Sequence, residues 1–291
     1  MDRMMQQMTV TGGYTLEYSI VGSGEPVLVF HGGHSNCKET LGYSEMTEKG
    51  YRLITPSRPG YGATSIELGE ELDDACDAYV KLMDELGLAS AHLLAVSAGG
   101  PSGIRFAARY PERTKSLILQ SAVTRHWLGT EDRAYKFSKR MFRPGSEKYT
   151  WALVRGFGAY FPRVLFKSMI SSFSLLPSNE VRRRLGDDDV SLFLQMINLQ
   201  RSGQGFMLDL REAMNDRDTE LAQIRCPVLV MHSRHDATVS IEHARHIARH
   251  VPHASVCELD AWGHLIWLGQ DATAMYEELF AFLGKQEGAA T

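Results

Sequence analysis

The chain has 291 residues, 44% hydrophobic and 23% charged, a composition that supports a large buried core and excludes disordered and fibrous classes. Its formal net charge of −4 offers no global positive field for nucleic acid or an anionic membrane, and no uncharged apolar run is long enough to span a bilayer. Residues 1–10 carry Asp2, Arg3, Gln6 and Gln7 and lack the apolar stretch of a signal peptide. Cys37, Cys76, Cys226 and Cys257 are too scattered for a zinc site or a disulfide framework, so the expected setting is cytoplasmic, with reduced thiols.

Short runs rich in Val, Ile and Leu recur along the chain, several followed by a glycine turn and a segment of helical period, the pattern of a mostly parallel sheet covered on both faces. Residues 14–20 are expected as an antiparallel edge strand, followed by strands at 26–30, 51–56, 92–96, 116–122, 227–232 and 254–259. Ala75, Ala78, Tyr79, Leu82 and Leu86 mark an amphipathic helix between the strands at 51–56 and 92–96. Another helix opens after Ser97 and stops near Pro111. Near the C-terminus, Ile241, Ala244, Ala248 and Val251 mark one helix face, and Met275, Leu279, Phe282 and Leu283 another, with 285–291 expected to fray.

The alternation breaks between about 124 and 224, where the pattern turns helical and Thr130 and Ser178, each followed by acids, read as helix starts. This insertion carries 16 Lys and Arg against 12 Asp and Glu, leaving 15 against 23 for the remainder. The opposite signs serve docking of the two parts or steering of an acidic substrate.

Chemistry concentrates in the loops after the strands. The strand at 92–96 runs into Ser97-Ala98-Gly99-Gly100, a sharp strand-to-helix turn with small residues two before and two after its serine. Small side chains let strand and helix pass closely, and the helix start favours developing negative charge. His31-Gly32-Gly33-His34 follows an earlier strand, and the Gly33 and Ala98 amides could together hold an oxyanion. Later strands lead to Asp236 and to His264. Loops gather at one edge of an open parallel sheet, so Ser97, Asp236 and His264 can meet as nucleophile, orienting acid and general base. Asp260 is the alternative carboxylate. His31 is expected to hold its loop, His34 to touch substrate, and His243, His246, His250 and His253 to lie at the surface or at a helix end. His232 and His235 lie too near Asp236 in sequence to be the base it orients.

With these elements in register, together with Arg58-Pro59-Gly60-Tyr61-Gly62, the chain resembles serine hydrolases of the α/β-hydrolase fold superfamily. The resemblance implies an α/β core from 1–123 and 225–291 and a helical cap over 124–224. It also implies a catalytic Ser97, Asp236 and His264, oxyanion donors Gly33 and Ala98, and a structural role for the 58–62 turn. A serine at the apex argues against the family's dehalogenases and epoxide hydrolases, which place aspartate there. His34 and Ser35 depart from the proline iminopeptidase turn, Leu265 from the Trp that often follows the histidine of carbon-carbon hydrolases, and Ser233 from a usual glycine. The cap is rich in aromatics, and Trp127 and Trp151, with His34, are candidate substrate contacts. The expected reaction is hydrolysis of a small carboxylic ester or related acyl compound through an acyl-enzyme, without metal or cofactor, by a monomer or homodimer. Carbon-carbon bond hydrolysis, amide or aminopeptide cleavage by the same serine, and a small-molecule sensor remain alternatives.

Overall fold

The computed structural model describes residues 2–288, with side chains through Gln286. Its strands are β1 (Arg3–Thr9), β2 (Thr15–Val21), β3 (Glu25–Phe30), β4 (Tyr51–Pro56), β5 (Ala91–Val96), β6 (Thr114–Gln120), β7 (Val228–Ser233) and β8 (Ala254–Leu259). They form one sheet in the order β1-β2-β4-β3-β5-β6-β7-β8, antiparallel at β1-β2 and β2-β4 and parallel elsewhere. The helices are α1 (Tyr43–Glu48), α2 (Leu72–Glu85), α3 (Gly100–Arg109), α4 (Arg133–Met141), α5 (Glu147–Tyr160), α6 (Pro162–Phe173), α7 (Ser178–Arg184), α8 (Asp187–Leu199), α9 (Gly205–Glu212), α10 (Asp218–Leu221), α11 (Glu242–His250) and α12 (Ala272–Gly288).

Successive side chains of a strand point to opposite faces, and the apolar runs divide accordingly. Leu28, Phe30, Leu93, Ala95, Leu117, Leu119, Val228 and Val230 pack with α2, α3 and α11. Val27, Val29, Leu94, Ile118, Leu229 and Met231 pack on the other face with α1 and α12. Both faces are therefore covered, as the unbroken apolar strands require.

Several expectations need correction. The strand near 14–20 is not the edge, because β1 pairs outside it; β1 is exposed along most of its length and so lacks the alternation that marks a half-buried strand. The strand expected at 116–122 ends at Gln120, since Ser121 turns to a φ of 49°. The first insertion helix starts at Arg133, not at Thr130, with the Asp132 carboxylate accepting from the Gly129 amide. Ser178 is the first helical residue and makes no side-chain cap. The tail expected to fray from 285 continues as α12 to Gly288, and the rest of it lies outside the described residues.

Helices α4 to α10 fill the chain between β6 and β7. Their apolar core, including Trp151, Phe166, Ile170 and Phe193, is shared with Trp262, Leu265 and Leu268 from the loop after β8. A second junction is polar. Arg58, after β4, meets Asp209 of α9 through two hydrogen bonds of 2.5 and 3.0 Å, and the Tyr61 hydroxyl donates to the same carboxylate at 2.5 Å. Burial opposes the Arg58 charge, and Asp209 more than compensates, so the guanidinium stays ionised. The Gly60 φ of 74° lets the turn approach Gly205, whose amide a Cβ on Gly60 would meet at 2.6 Å. Asp209→Ala strands the buried guanidinium and is expected to cost about 3–5 kcal/mol in denaturant unfolding; a loss below about 1 kcal/mol would show that the pair does not hold the insertion.

Candidate active site

Ser97 sits where β5 enters a single turn of 3-10 helix, Ser97–Gly99, that leads into α3. Its φ of 51° is rare for a residue with a side chain and turns the hydroxyl out of the β5 line. The close approach around it is enforced by missing side chains. A Cβ on Gly99 would lie 2.2 Å from the Phe30 carbonyl oxygen, one on Gly100 2.1 Å from that of Val123, and one on Gly103 2.6 Å from the Ala95 Cβ. The methyl of Ala95 thus fits because position 103 has none.

The structure brings Ser97, His264 and Asp236 together at the C-terminal edge of the sheet. His264 Nδ1 donates to Asp236 Oδ2 at 2.7 Å, which leaves Nε2 to accept from the Ser97 hydroxyl at 3.0 Å. Asp236 Oδ1 accepts the amides of Thr238 and Val239 at 2.8 and 2.9 Å. Burial disfavours the Asp236 charge, but His264, His232 and these surroundings overcome it and hold the carboxyl well below the usual range. All three side chains are buried. Gly263 admits the insertion beside this cluster, since a Cβ there would lie 2.3 Å from the Phe173 carbonyl oxygen.

Gly33 and Ala98 face each other across the Ser97 turn; a Cβ on Gly33 would lie 3.6 Å from that of Ala98. Ala98 lies in the first turn of a helix, where amides lack partners within the helix. Behind Gly33, His31 accepts the Arg58 amide at Nε2 and donates from Nδ1 to the Gly32 carbonyl, so it holds the loop as expected.

A cavity of about 1030 Å³ opens above the serine, its wall including Ser97, His264, Gly33, Ala98, His34, Trp127 and Trp151. His34, with a φ of 62°, stacks 4.0 Å from Phe206 and 4.3 Å from Phe142. Trp151 donates to Ser202 Oγ at 2.8 Å, and His34 Nδ1 lies within hydrogen-bond distance of the same hydroxyl at 2.8 Å. Burial, aided by Arg58, lowers the His34 pKa to about 3 and keeps the ring neutral. Trp127 donates to the Thr238 carbonyl at 3.0 Å, tying the insertion to the Asp236 loop.

The other candidates fall elsewhere. Asp260, the alternative acid, is 65% exposed and bound to His235 and Arg184, with no bond to His264. His232, set aside as too near Asp236 in sequence, does reach Oδ2 at 3.2 Å while bonding the Val239 carbonyl, but it makes no bond to Ser97. His243 and His246 are buried, against expectation, and His243 lines the cavity, accepting the Thr124 amide at Nδ1. Their places on the α11 face that also carries Ala244 and Ile247 were the available signal. Asp209 lies inside helical sequence with no motif to reveal it, and Ser202, in the Ser202-Gly203 turn between α8 and α9, carries a turn signal and no functional one. Of the insertion aromatics, Phe142 and Phe173 join the cavity wall, while Tyr160 and Phe161 are exposed.

A family model described as alpha/beta hydrolase fold matches residues 25–269. The chain belongs to the alpha/beta hydrolase fold family. An uncharacterized hydrolase of Bacillus subtilis (strain 168), YcgS, is 48% identical over 283 residues, covering 97% of this chain and 99% of that protein. An alpha/beta hydrolase fold protein from Nakamurella multipartita superimposes with a TM-score of 0.82 at 27% identity, covering 95% of this chain and 97% of its own. A 2-hydroxy-6-oxo-6-phenylhexa-2,4-dienoate hydrolase of Comamonas testosteroni is 35% identical over 114 residues, 36% of this chain and 39% of that enzyme. Among the described residues no helix is long and apolar enough to cross a membrane.

The buried neutral imidazoles set a pH dependence. Burial lowers His31 well below 6.5 and His243 to about 3, so below pH 6.5 the unfolded chain takes up protons that the native chain refuses. Their contribution is complete above pH 6.5 and is lost as pH falls toward 3, at up to about 1.4 kcal/mol per pH unit for each ring. Denaturant unfolding of His243→Asn between pH 7.5 and 5 is expected to show a flatter slope than the parent chain; an equal slope would remove His243 from the account.

Proposed function

We propose that this hydrolase cleaves a small carboxylic ester or related acyl compound through an acyl-enzyme. The observation that carries the reading is the continuous relay from Asp236 through His264 to the Ser97 hydroxyl, opening into a large cavity beside Gly33 and Ala98. Ser97 Oγ attacks the carbonyl carbon as its proton passes to His264 Nε2, and Asp236 stabilises the resulting imidazolium. The tetrahedral oxyanion takes hydrogen bonds from the Gly33 and Ala98 amides, each such donor being worth about 3 kcal/mol. His264 then gives its proton to the leaving alkoxide, and a water deprotonated by the same nitrogen releases the acid. The helices from 124 to 224 act as a cap whose residues, Trp127 and Trp151 with His34 opposite, shape the acyl or alcohol site. The buried free thiols Cys37, Cys76 and Cys226 suit a reducing compartment.

Carbon-carbon bond hydrolysis is a second reading, favoured by the partial match to the Comamonas testosteroni dienoate hydrolase. The substrate named for that enzyme is a carboxylate, and Arg125 is the cavity wall's one Lys or Arg among the described residues. Under this reading Arg125→Ala raises KM for such a dienoate at least tenfold and leaves neutral esters unaffected; equal effects on both would remove the distinction.

A fluorophosphonate probe is expected to modify Ser97, located by peptide mass spectrometry, and to leave Ser97→Ala unlabelled. Labelling of another residue in the parent chain would overturn the assignment. Asp236→Asn is expected to lower kcat on p-nitrophenyl esters by about 10³–10⁴-fold with KM nearly unchanged.

A further inference from the structure

The histidine-rich helix α11 is not used up by the relay. His246 and His250 stand one turn apart on it, their rings 4.3 Å between centroids, and both face Asp218 of α10. His250 Nδ1 lies 2.9 Å from the His246 carbonyl oxygen, which can only accept, so the proton of neutral His250 is on Nδ1. Its Nε2 therefore presents a lone pair, and the nearest carboxylate oxygen, Asp218 Oδ2, stands 3.6 Å away. A cation between these two atoms, a proton or a metal ion, would join them. On the other side of the carboxylate, His246 Nε2 lies 2.8 Å from Asp218 Oδ1, and His246 Nδ1 is buried with no hydrogen-bond partner.

We propose that Asp218, His246 and His250 form a binding site for a divalent transition-metal ion of the zinc class, separate from the hydrolytic centre. The three donor atoms lie within 4.8 Å of one another. Bonds of ~2.0–2.1 Å at a tetrahedral angle place neighbouring donors about 3.3 Å apart, between the 2.8 and 3.6 Å contacts seen here. Two imidazole nitrogens and one carboxylate suit zinc, cobalt(II) or nickel(II) over the hard cations magnesium and calcium. On binding, the His246 proton moves from Nε2 to Nδ1 and the metal takes Nε2, so no proton is released when both rings start neutral. Asp218 is 59% exposed, which leaves the fourth position open to water.

The ion would join α10, the last helix before β7, to α11, which carries His243 on the cavity wall. It would thus clasp the end of the insertion to the body. Titration calorimetry of the metal-free full chain with ZnCl₂ is expected to give one equivalent bound with micromolar or tighter Kd, and saturating zinc to raise Tm by about 5 °C. CoCl₂ is expected to produce the visible absorption of a four-coordinate site. His250→Ala and Asp218→Asn, both at accessible positions that preserve folding, are each expected to weaken zinc at least tenfold, with p-nitrophenyl ester turnover unchanged. Absence of saturable binding below millimolar zinc, or undiminished binding by both variants, would overturn the proposal. Loss of ester turnover in Ser97→Ala tests the hydrolytic reading independently, since that variant retains the metal site.

Discussion

The geometry of the Ser97 turn is the constraint from which the arrangement of the centre follows. A residue with a side chain at a φ of 51° is held there because β5, α3 and the segments ending β3 and β6 are too close for any relaxed alternative. Two strands and the segment after β6 supply the confinement: the Phe30 carbonyl of β3 stands over Gly99, the Val123 carbonyl over Gly100, and Ala95 of β5 over Gly103. Among the described residues the other two non-glycine positions at positive φ, His34 and Ser121, follow β3 and β6, so the strained positions gather along one sheet edge. Each does local work there. Ser121 donates to the His264 carbonyl at 2.8 Å, and His34 turns its ring over the cavity.

The loops that carry Asp236 and His264 are held by one another and by the insertion. The end of α6 is stitched across them: the His264 amide donates to the Phe173 carbonyl at 2.8 Å, the Leu175 amide to the His235 carbonyl at 2.8 Å, and the Ser174 hydroxyl to the Trp262 carbonyl. Ser233, where a glycine is usual in the family, uses its hydroxyl to reach the Ala261 carbonyl at 2.5 Å and to receive the His235 amide. An insertion that swung away as a rigid whole would break these bonds together. The α4 segment around the exposed Phe137 takes no part in them.

Much of this was legible in the sequence, for identifiable reasons. Parallel strands buried on both faces leave unbroken apolar runs, and the Ser97 turn leaves its small residues, so the core and the relay residues could be named from spacing and order. What escaped reading lacked a local signal. Strand β1 is exposed along most of its length and owes its place to pairing with β2. Asp209 sits in an ordinary helical segment and gains meaning from Arg58, far off in sequence. His243 and His246 were read from charge and helix position, whereas their depth depends on α10 and the loop after β6 closing over α11. Ser202 becomes informative once Trp151 and His34 converge on its hydroxyl.

The polar groups around the cavity also bear on what it can hold. His31, His34 and His243 are kept neutral by burial, Glu39 and Glu242 are the wall's carboxylates, and Arg125 is its single Lys or Arg side chain among the described residues. Around Gly33 and Ala98 the wall offers backbone dipoles rather than a charged group. Fixed dipoles favour a charge that appears in place during reaction, since they need no reorganisation to meet it. They compensate less well for stripping water from an anion that must enter already charged. Under the acyl-transfer proposal, a neutral substrate that becomes an oxyanion at the serine is the better match to such dipoles, and Arg125 is the side chain that a carboxylate-bearing one would meet.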